Sequence, residues 1–253
     1  METPGLPRSR KPAGNTATAW LKIIALVFMF IDHAGKMLFP GVPEMRMLGR
    51  IAFPIYVWCM IVGFHYTRSV PKYLLRILII GLVSQPLYNL ALNHTWTQPN
   101  VFLTLFLGLC ALWGIREQKY LSHLWAPAAA LALAIVLGAD YGWKGVLLFI
   151  LLYAVRDTRP GIAAVMVAYF LFWGTFFSTT KSLFGFSFDV SRLAPVLSQP
   201  LSAFLRLETY ALLSLPFILI RFKKDLKIPR WTGYLLYPAH LALLYLLEKI
   251  FAR

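Results

Sequence analysis

Charged residues are scarce in this chain of 253 amino acids: Asp, Glu, Lys and Arg together make up 14% of it. Hydrophobic residues account for 59%, and the mean hydropathy is +0.65. Soluble domains contain roughly a quarter charged residues, so this composition excludes an ordinary soluble domain. Cysteine is also rare. Because Cys59 and Cys110 both lie inside apolar runs, the sequence offers neither a disulfide framework nor the ligand spacing of a zinc site.

Long apolar segments dominate what is present. A membrane-spanning helix needs roughly 20 mostly apolar residues, and shorter segments could be tilted or re-entrant. The sequence predicts a single all-α transmembrane domain over residues 20–253, preceded by a basic, disordered tail at residues 1–19. The domain is polytopic, with about nine predicted transmembrane helices at residues 20–39, 48–64, 73–92, 101–115, 124–137, 143–155, 161–177, 201–220 and 231–250.

Basic residues outnumber acidic residues by 25 to 10, which gives a net charge of +15. They lie in short clusters between the apolar segments, and this distribution favours membrane topology over a nucleic-acid partner as the explanation. With the tail in the cytoplasm, sixteen of the 25 Lys and Arg residues fall on the inner side. The pattern predicts a multi-pass protein, surrounded by membrane lipid, with its N terminus inside and its C terminus outside.

The first predicted span carries unusual polar residues. Lys22 and His33 are eleven residues apart, which on a helix is three turns plus about 20°, so both lie on one face. Their separation along the axis is about 16 Å, roughly half the hydrocarbon thickness. Asp32 is rotated by about 100° from His33 and needs Lys36 at i+4, or a donor on a neighbouring helix, as its partner. Because ionisable residues at this depth are costly unless paired or in a polar cavity, Asp32 and His33 are predicted to line a pocket. Structural contacts between helices are the alternative.

Three basic residues break the topological pattern, because Lys36, Arg46 and Arg50 lie together on the predicted outer side. Positive charge on that side runs against the usual bias of membrane proteins. It indicates an anionic substrate or a paired carboxylate, unless the helix boundary is misplaced.

Six stretches of the sequence carry short motifs in a defined order. The stretches are LKIIALVFMFIDHAGKML at 21–38, LGRIAFPIYVWCMIVGF at 48–64, YLLRILIIGLVSQPLYN at 73–89, NVFLTLFLGL at 100–109, DYGWKGVL at 140–147 and YPAHLALLYLL at 237–247. Single apolar blocks recur by chance, but the ordered set of IDH, GRIAFP, NVFLTL, DYG and YPxH is specific. Taken in order, these stretches resemble the TraX family of integral-membrane proteins, and the resemblance covers nearly all of the predicted membrane region.

This resemblance implies an acyl-CoA-dependent transmembrane acyltransferase. The namesake of the family is implicated in N-acetylation of conjugative pilin, and the family is grouped with membrane acyltransferases that modify surface glycans. Those enzymes share a basic residue eleven positions before a His in the first span, which Lys22 and His33 reproduce with Lys in place of the usual Arg. The implied reaction moves an acetyl or short acyl group from cytoplasmic acetyl-CoA, or another acyl-CoA. The acceptor is an unidentified glycan, lipid or peptide outside the bacterial cytoplasmic membrane.

Acyl transfer gives several polar residues a predicted role. A general base must deprotonate the acceptor, and a His suits this task because its ordinary pKa lies near neutral pH. No metal is expected, because the His residues are widely separated in the sequence. The predicted catalytic residues are His33, Asp32 and His240, the predicted CoA-binding residues are Lys22 and Arg76, and the predicted acceptor-binding residues are Lys36, Arg50, Asn100, Asp140 and Arg206. Asn100 could instead only cap its helix.

Two other classes of function fit parts of the sequence. Asp32, His33, Glu208 and His240 could form the relay of a proton-coupled transporter, although the hydropathy has no inverted repeat of the kind common in transporters. A non-catalytic assembly factor for pili or envelope polymers is the third hypothesis.

Overall fold

The structure is a computed structural model, and it describes residues 11–180, 182–187, 190, 193–227, 229 and 232–251. Within these residues the protein is mostly helical. Two 3-10 helices, Lys119–Leu121 and Leu207–Ser214, and one antiparallel hairpin of β1 (Ser182–Leu183) and β2 (Phe186–Ser187) are also present. The α-helices are α1 (Thr18–Met37), α2 (Pro43–Gly49), α3 (Ala52–Tyr66), α4 (Val70–Leu92), α5 (Val101–Glu117), α6 (Ser122–Val136), α7 (Gly142–Ala154), α8 (Arg159–Gly174), α9 (Pro195–Phe204), α10 (Leu215–Leu219) and α11 (Thr232–Phe251).

Local sequence explains several helix boundaries. Pro71, Pro160 and Pro195 lie in the first turns of α4, α8 and α9, where the missing N–H group has no intrahelical partner to lose. Asn93 ends α4 in the left-handed conformation, which Asn tolerates better than most residues. Asn100 then caps α5 by accepting a hydrogen bond from the next helix turn. Helices α4 and α5 are therefore joined by a short loop with defined ends.

The described helices overlap eight of the nine predicted spans, but the prediction of one helix over residues 201–220 is wrong. This stretch contains the end of α9, the 3-10 helix Leu207–Ser214 and the short α10. Pro216 has no N–H to donate, and Glu208 pairs with Arg50, which lies between α2 and α3. A continuous α-helix is consequently interrupted at this point.

Four helical segments of the described chain are long and apolar enough to cross a membrane: Thr18–Met37, Pro43–Tyr66, Val70–Leu92 and Lys119–Val136. Large apolar side chains are exposed on α4 and α6, as expected for helices that face hydrocarbon instead of water. The chain is therefore a membrane protein, while the nine-span topology remains a prediction.

Part of the predicted tail, within residues 11–19, makes defined contacts with the helices. Asn15 is fully buried, and its backbone carbonyl accepts a hydrogen bond of 2.7 Å from the indole N–H of Trp58. Arg221 donates to two backbone carbonyls of the same segment, both at 3.2 Å. This part of the tail is held by the helical body, and residues 1–10 lie outside the described residues.

Helix α3 forms the centre of the core. Ile55, Trp58, Ile61 and Phe64 on it are fully buried. The helix contacts α1, α5, α7 and the 3-10 helix Leu207–Ser214, so most of its circumference is covered by protein. Helix α1 packs against α2, α3 and α11. The polar residues of α1 are thereby enclosed by protein on several sides.

Candidate functional site

Asp32 on α1 pairs with two arginines near the junction of α2 and α3. Arg46 donates to one carboxylate oxygen, and Nη2 of Arg50 donates to the other at 2.8 Å. Nη1 of Arg50 donates at 2.9 Å to Oε1 of Glu208 on the 3-10 helix Leu207–Ser214. The Arg50 and Glu208 side chains are 10% and 5% exposed, and charges this buried are costly unless they are paired. The paired-carboxylate explanation of the basic outer cluster is thus correct for Arg46 and Arg50.

Gly49 allows α2 to approach Asp32 closely. A Cβ atom at this position would lie only 2.1 Å from Oδ1 of Asp32, well inside van der Waals contact. Only glycine leaves room for the carboxylate at this spacing. The two neighbouring residues of the GRIAFP stretch therefore act on the same carboxylate: Gly49 leaves space for Asp32, and Arg50 forms an ion pair with it.

His33 on α1 and His240 on α11 form a hydrogen-bonded pair. Nδ1 of His33 lies 2.9 Å from Nε2 of His240. The ring planes are within 7° of parallel, and the ring centroids are 5.1 Å apart. That separation is close to the N–N distance plus one ring radius at each end, so the two imidazoles lie end to end in one plane and are not stacked face to face.

A backbone carbonyl sets the tautomers of this pair. Nδ1 of His240 lies 3.2 Å from the Leu236 carbonyl oxygen, which only accepts hydrogen bonds. His240 therefore carries its proton on Nδ1 and accepts at Nε2, so His33 donates from its own Nδ1. Nε2 of His33 is left as an unprotonated base, and no group in the described part of the chain hydrogen-bonds to it.

A narrow channel of about 100 Å³ follows the face of α1 that the helical period predicts. Lys22, Met29 and His33 all line it, which confirms that these residues share one face. The rise of the helix places Lys22 about 16 Å from His33 along the axis. The remaining lining is largely apolar and comes from α3, α4 and α5, for example Met60 and Ile77.

A wider chamber of about 430 Å³ lies on the other side of His33. Its lining is rich in charged and aromatic side chains, including Lys36, Arg46, Arg50, Glu208, Tyr88, Trp143 and Trp173. Four residues line both the channel and the chamber, namely Asp32, His33, Asp140 and Tyr141. The candidate base consequently stands where the two cavities meet.

Asp140 and Lys36, two of the predicted acceptor-binding residues, line the chamber. The Asp140 carboxylate is exposed into the chamber and has no hydrogen-bond or ion-pair partner within the described residues. Nζ of Lys36 lies 2.9 Å from Nε2 of His94, so Asp32 does not use the i+4 lysine as its partner. Next to Asp140, the Tyr141 ring stacks on Phe53 with centroids 3.7 Å apart.

Three residues with predicted binding roles line neither cavity. Arg76 is exposed on α4, away from the channel. Asn100 is buried and bonded to backbone, accepting from Phe102 at 3.0 Å, so the capping explanation is correct. Arg206 is half-buried and makes no ion pair within the described chain. The geometry does not support contact of these three side chains with CoA or an acceptor at the described site.

Sequence reasoning missed several residues of the site. The sequence predicts that Glu208 needs a partner on another helix, but it assigns this residue only to a transporter relay and not to the acyl-transfer site. Tyr141, Trp143 and His94 also line the chamber. Tyr141 and His94 lie in loops and Trp143 in the first turn of α7, so no periodic pattern predicts their position. The described residues contain no cluster of three or more His, Cys, Asp or Glu side chains suited to a metal ion.

Comparisons with known proteins agree with the sequence motifs. The uncharacterised protein RP591 of Rickettsia prowazekii (strain Madrid E) is 28% identical over 178 residues, which is 67% of this chain and 69% of that protein. The probable fimbrial assembly protein FimC, serogroup H1, of Dichelobacter nodosus is 30% identical over 106 residues, or 36% of this chain and 43% of that protein. No solved structure matches. The family model described as TraX protein matches residues 17–248, which include both histidines of the pair, and the chain therefore belongs to the TraX family.

Proposed function

We propose that this protein is a membrane acyltransferase that moves an acetyl or short acyl group from cytoplasmic acyl-CoA to an acceptor at the outer face. The acceptor is a surface glycan or an exported protein such as a pilin. The proposal includes nine spans in the bacterial cytoplasmic membrane, with the N terminus inside and the C terminus outside.

The observation that carries the proposal is the position of His33 between two unlike cavities. The narrow apolar channel suits the extended pantetheine arm of an acyl-CoA, because Lys22 and His33 both line it and lie about 16 Å apart along the axis of α1. The polar and aromatic chamber suits a hydrophilic acceptor. Donor and acceptor thus reach one base from opposite sides, which is the arrangement that transfer across a membrane requires.

The chemistry follows from the tautomers of the histidine pair. Nε2 of His33 takes the proton from the acceptor hydroxyl or amine as its oxygen or nitrogen attacks the thioester carbonyl carbon. The tetrahedral intermediate then breaks its C–S bond, and the departing CoA sulfur receives the proton from His33. His240 stabilises the imidazolium by accepting from Nδ1 throughout. Arg46 lines the chamber with a side chain that is 32% exposed, and we assign it as the cationic donor to the oxyanion.

Radiolabelled acetyl-CoA tests this proposal directly. Purified protein in lipid nanodiscs is mixed with cell-envelope extract, and label transfer and CoA release are measured. His33→Ala should lower the rate by about 10²–10⁴-fold, the usual contribution of a positioned base. His123→Ala, outside both cavities, serves as the matched control. A folded His33→Ala protein that transfers acetyl groups at the parent rate would contradict the proposal, and a proton-coupled transporter would transfer no label at all.

A pilus assembly factor without enzymatic activity is the second candidate. The similarity to a probable fimbrial assembly protein over 106 residues favours a pilus-related role. Such a factor would support pilus formation equally well with His33→Ala. Counting surface pili in cells that carry parent or His33→Ala protein separates the two candidates, because the acyltransferase would lose its contribution in the variant.

A further inference from the structure

The loop between α10 and α11 is tied to the first turn of α1. Oδ1 of Asp225 accepts hydrogen bonds from the backbone N–H of Ala19 at 3.1 Å and of Trp20 at 3.3 Å. The N–H of Leu226 donates to the same carboxylate at 2.9 Å, which fixes Asp225 relative to its own loop. The loop is therefore held about one helical turn from Lys22.

A second anchor lies at the beginning of this loop. The Arg221 guanidinium donates to the backbone carbonyl of Gly14 at 3.2 Å, and the N–H of Phe222 contacts Oδ1 of Asn15 at 3.5 Å. The Arg221 charge is thus occupied by the N-terminal segment. Because Arg221 and Asp225 are both hydrogen-bonded to the N-terminal part of the chain, Lys223 and Lys224 between them lie on a loop of defined position.

Lys223, Lys224 and Lys227 project from this loop into solvent. All three are exposed, and none has an ion-pair partner among the residues that the structure describes. Lys22 is also exposed, lines the channel and lies next to Gly233 at the beginning of α11. The three loop lysines are therefore carried on a segment that is tied to the first turn of α1, the helix on which Lys22 lies, while the one carboxylate of the loop is occupied by backbone amides.

We infer that Lys223, Lys224 and Lys227, together with Lys22, form a phosphate-binding rim for the 3′-phosphoadenosine diphosphate end of acyl-CoA. The inference rests on the proposed function. Lysine binds phosphate as a point charge, and several lysines on a rim suit a group with three phosphates. The positive-inside rule accounts for the net charge of the loop, but not for its tether beside the channel. Anionic lipid headgroups are the other possible source of the same phosphate chemistry.

Equilibrium binding to the full-length protein tests this rim. The protein is placed in nanodiscs of zwitterionic lipid, and acetyl-CoA, dephospho-acetyl-CoA and S-acetylpantetheine are titrated. The triple variant Lys223→Gln, Lys224→Gln, Lys227→Gln should bind acetyl-CoA about tenfold more weakly, as expected for three exposed ion pairs. Its loss of affinity should be smaller for dephospho-acetyl-CoA and absent for S-acetylpantetheine, and added salt should reduce the difference from the parent.

Matched variants make the result decisive. Arg68→Gln, Lys72→Gln, Lys119→Gln removes the same charge from exposed positions elsewhere and should keep the parent affinity, as should the charge-preserving Lys→Arg triple variant. Equal acetyl-CoA affinity in the parent and the Lys→Gln variant would overturn the proposed rim, but it would not contradict the proposed acyltransferase function. A difference that appears only in anionic nanodiscs would also overturn it, because the lysines would then bind lipid. A parent protein that binds neither acetyl-CoA nor S-acetylpantetheine would remove the proposed function and the rim together.

Discussion

Nδ1 of His33 and Nε2 of His240 lie 2.9 Å apart, although 207 positions separate the two residues in the chain. The contact fixes both the height and the rotation of α11 against α1, because an end-to-end imidazole pair tolerates little displacement of either helix. The orientation of the His33 imidazole on α1 therefore depends on α11.

Removing the acceptor nitrogen of His240 should impair His33 without disturbing the channel. We expect His240→Leu to lower acyl transfer by about 10–100-fold, the cost typical of losing a residue that orients a functional histidine. His240→Gln, whose amide oxygen is able to accept from Nδ1, should recover part of the rate and change the pH profile. His123→Leu is the control for loss of a histidine. Parent-like rates and an unchanged pH profile in His240→Leu would show that His240 does not position His33.

The Arg50–Glu208 pair should contribute strongly to folding. Glu208→Ala leaves Arg50 buried with one partner fewer, and breaking a buried pair in this way costs about 3–5 kcal/mol. Glu208→Gln should cost less, since its amide oxygen still accepts the hydrogen bond. Thermal unfolding in detergent measures both. Glu117→Ala is the surface control, because its ion pairs are 3.8 and 4.0 Å long with the Glu117 side chain 39% exposed, and its loss should stay below about 1 kcal/mol.

Gly49 should tolerate no side chain. We expect Gly49→Ala to force the Asp32 carboxylate away from its arginines and so to reduce both stability and any activity, because the added methyl group would overlap Oδ1. Gly41→Ala is the matched control, since a Cβ atom there would meet nothing within 4 Å. Comparison of the unfolding midpoints of the two variants measures the effect. Equal midpoints would show that α2 is free to shift, and that the close approach of Gly49 to Asp32 does not contribute to stability.

The helical period of α1 allowed the channel face to be predicted from sequence. Lys22, Met29 and His33 share a face because their spacing fits whole turns, and this depends on nothing beyond the helix itself. The charge of Asp32 likewise predicted a buried partner or a polar cavity, and the structure provides both.

Contacts between distant helices were beyond the reach of the sequence. The pairing of His33 with His240 depends on the relative rotation of two helices, which apolar periodicity does not encode. The break at residues 201–220 was missed because hydropathy averages over Glu208 and Pro216, whereas the backbone responds to each of them. Arg76 is predicted to bind CoA, but the side chain is exposed on α4 and does not line the channel.

Lys22 should act on acyl-CoA binding more than on the chemical step. Lys22→Ala is expected to weaken acetyl-CoA affinity and to leave the maximal rate within about tenfold, as when an interaction common to the ground and transition states is removed. Lys36→Ala, in the chamber beside His94, should instead leave acetyl-CoA affinity unchanged. Initial rates over a range of acetyl-CoA concentrations distinguish the two. An unchanged affinity in Lys22→Ala would remove this residue from the donor site.

The direction of the protein in the membrane decides whether donor and acceptor meet His33 from the correct sides. We expect single cysteines at Ser9 and Lys224 to react with an impermeant maleimide only after the cytoplasmic face is opened. Cysteines at Thr97 and Ser198 should react in intact cells, because the basic loops alternate across the predicted spans. Cys59 is buried and Cys110 half-buried, so the parent protein provides the background labelling. Thr97 lies in the loop between α4 and α5, the same loop that contains the chamber-lining residue His94. Labelling of Thr97 from the cytoplasm would show that the chamber lies on the cytoplasmic side. The nine-span arrangement and transfer to an outer acceptor would then both be wrong.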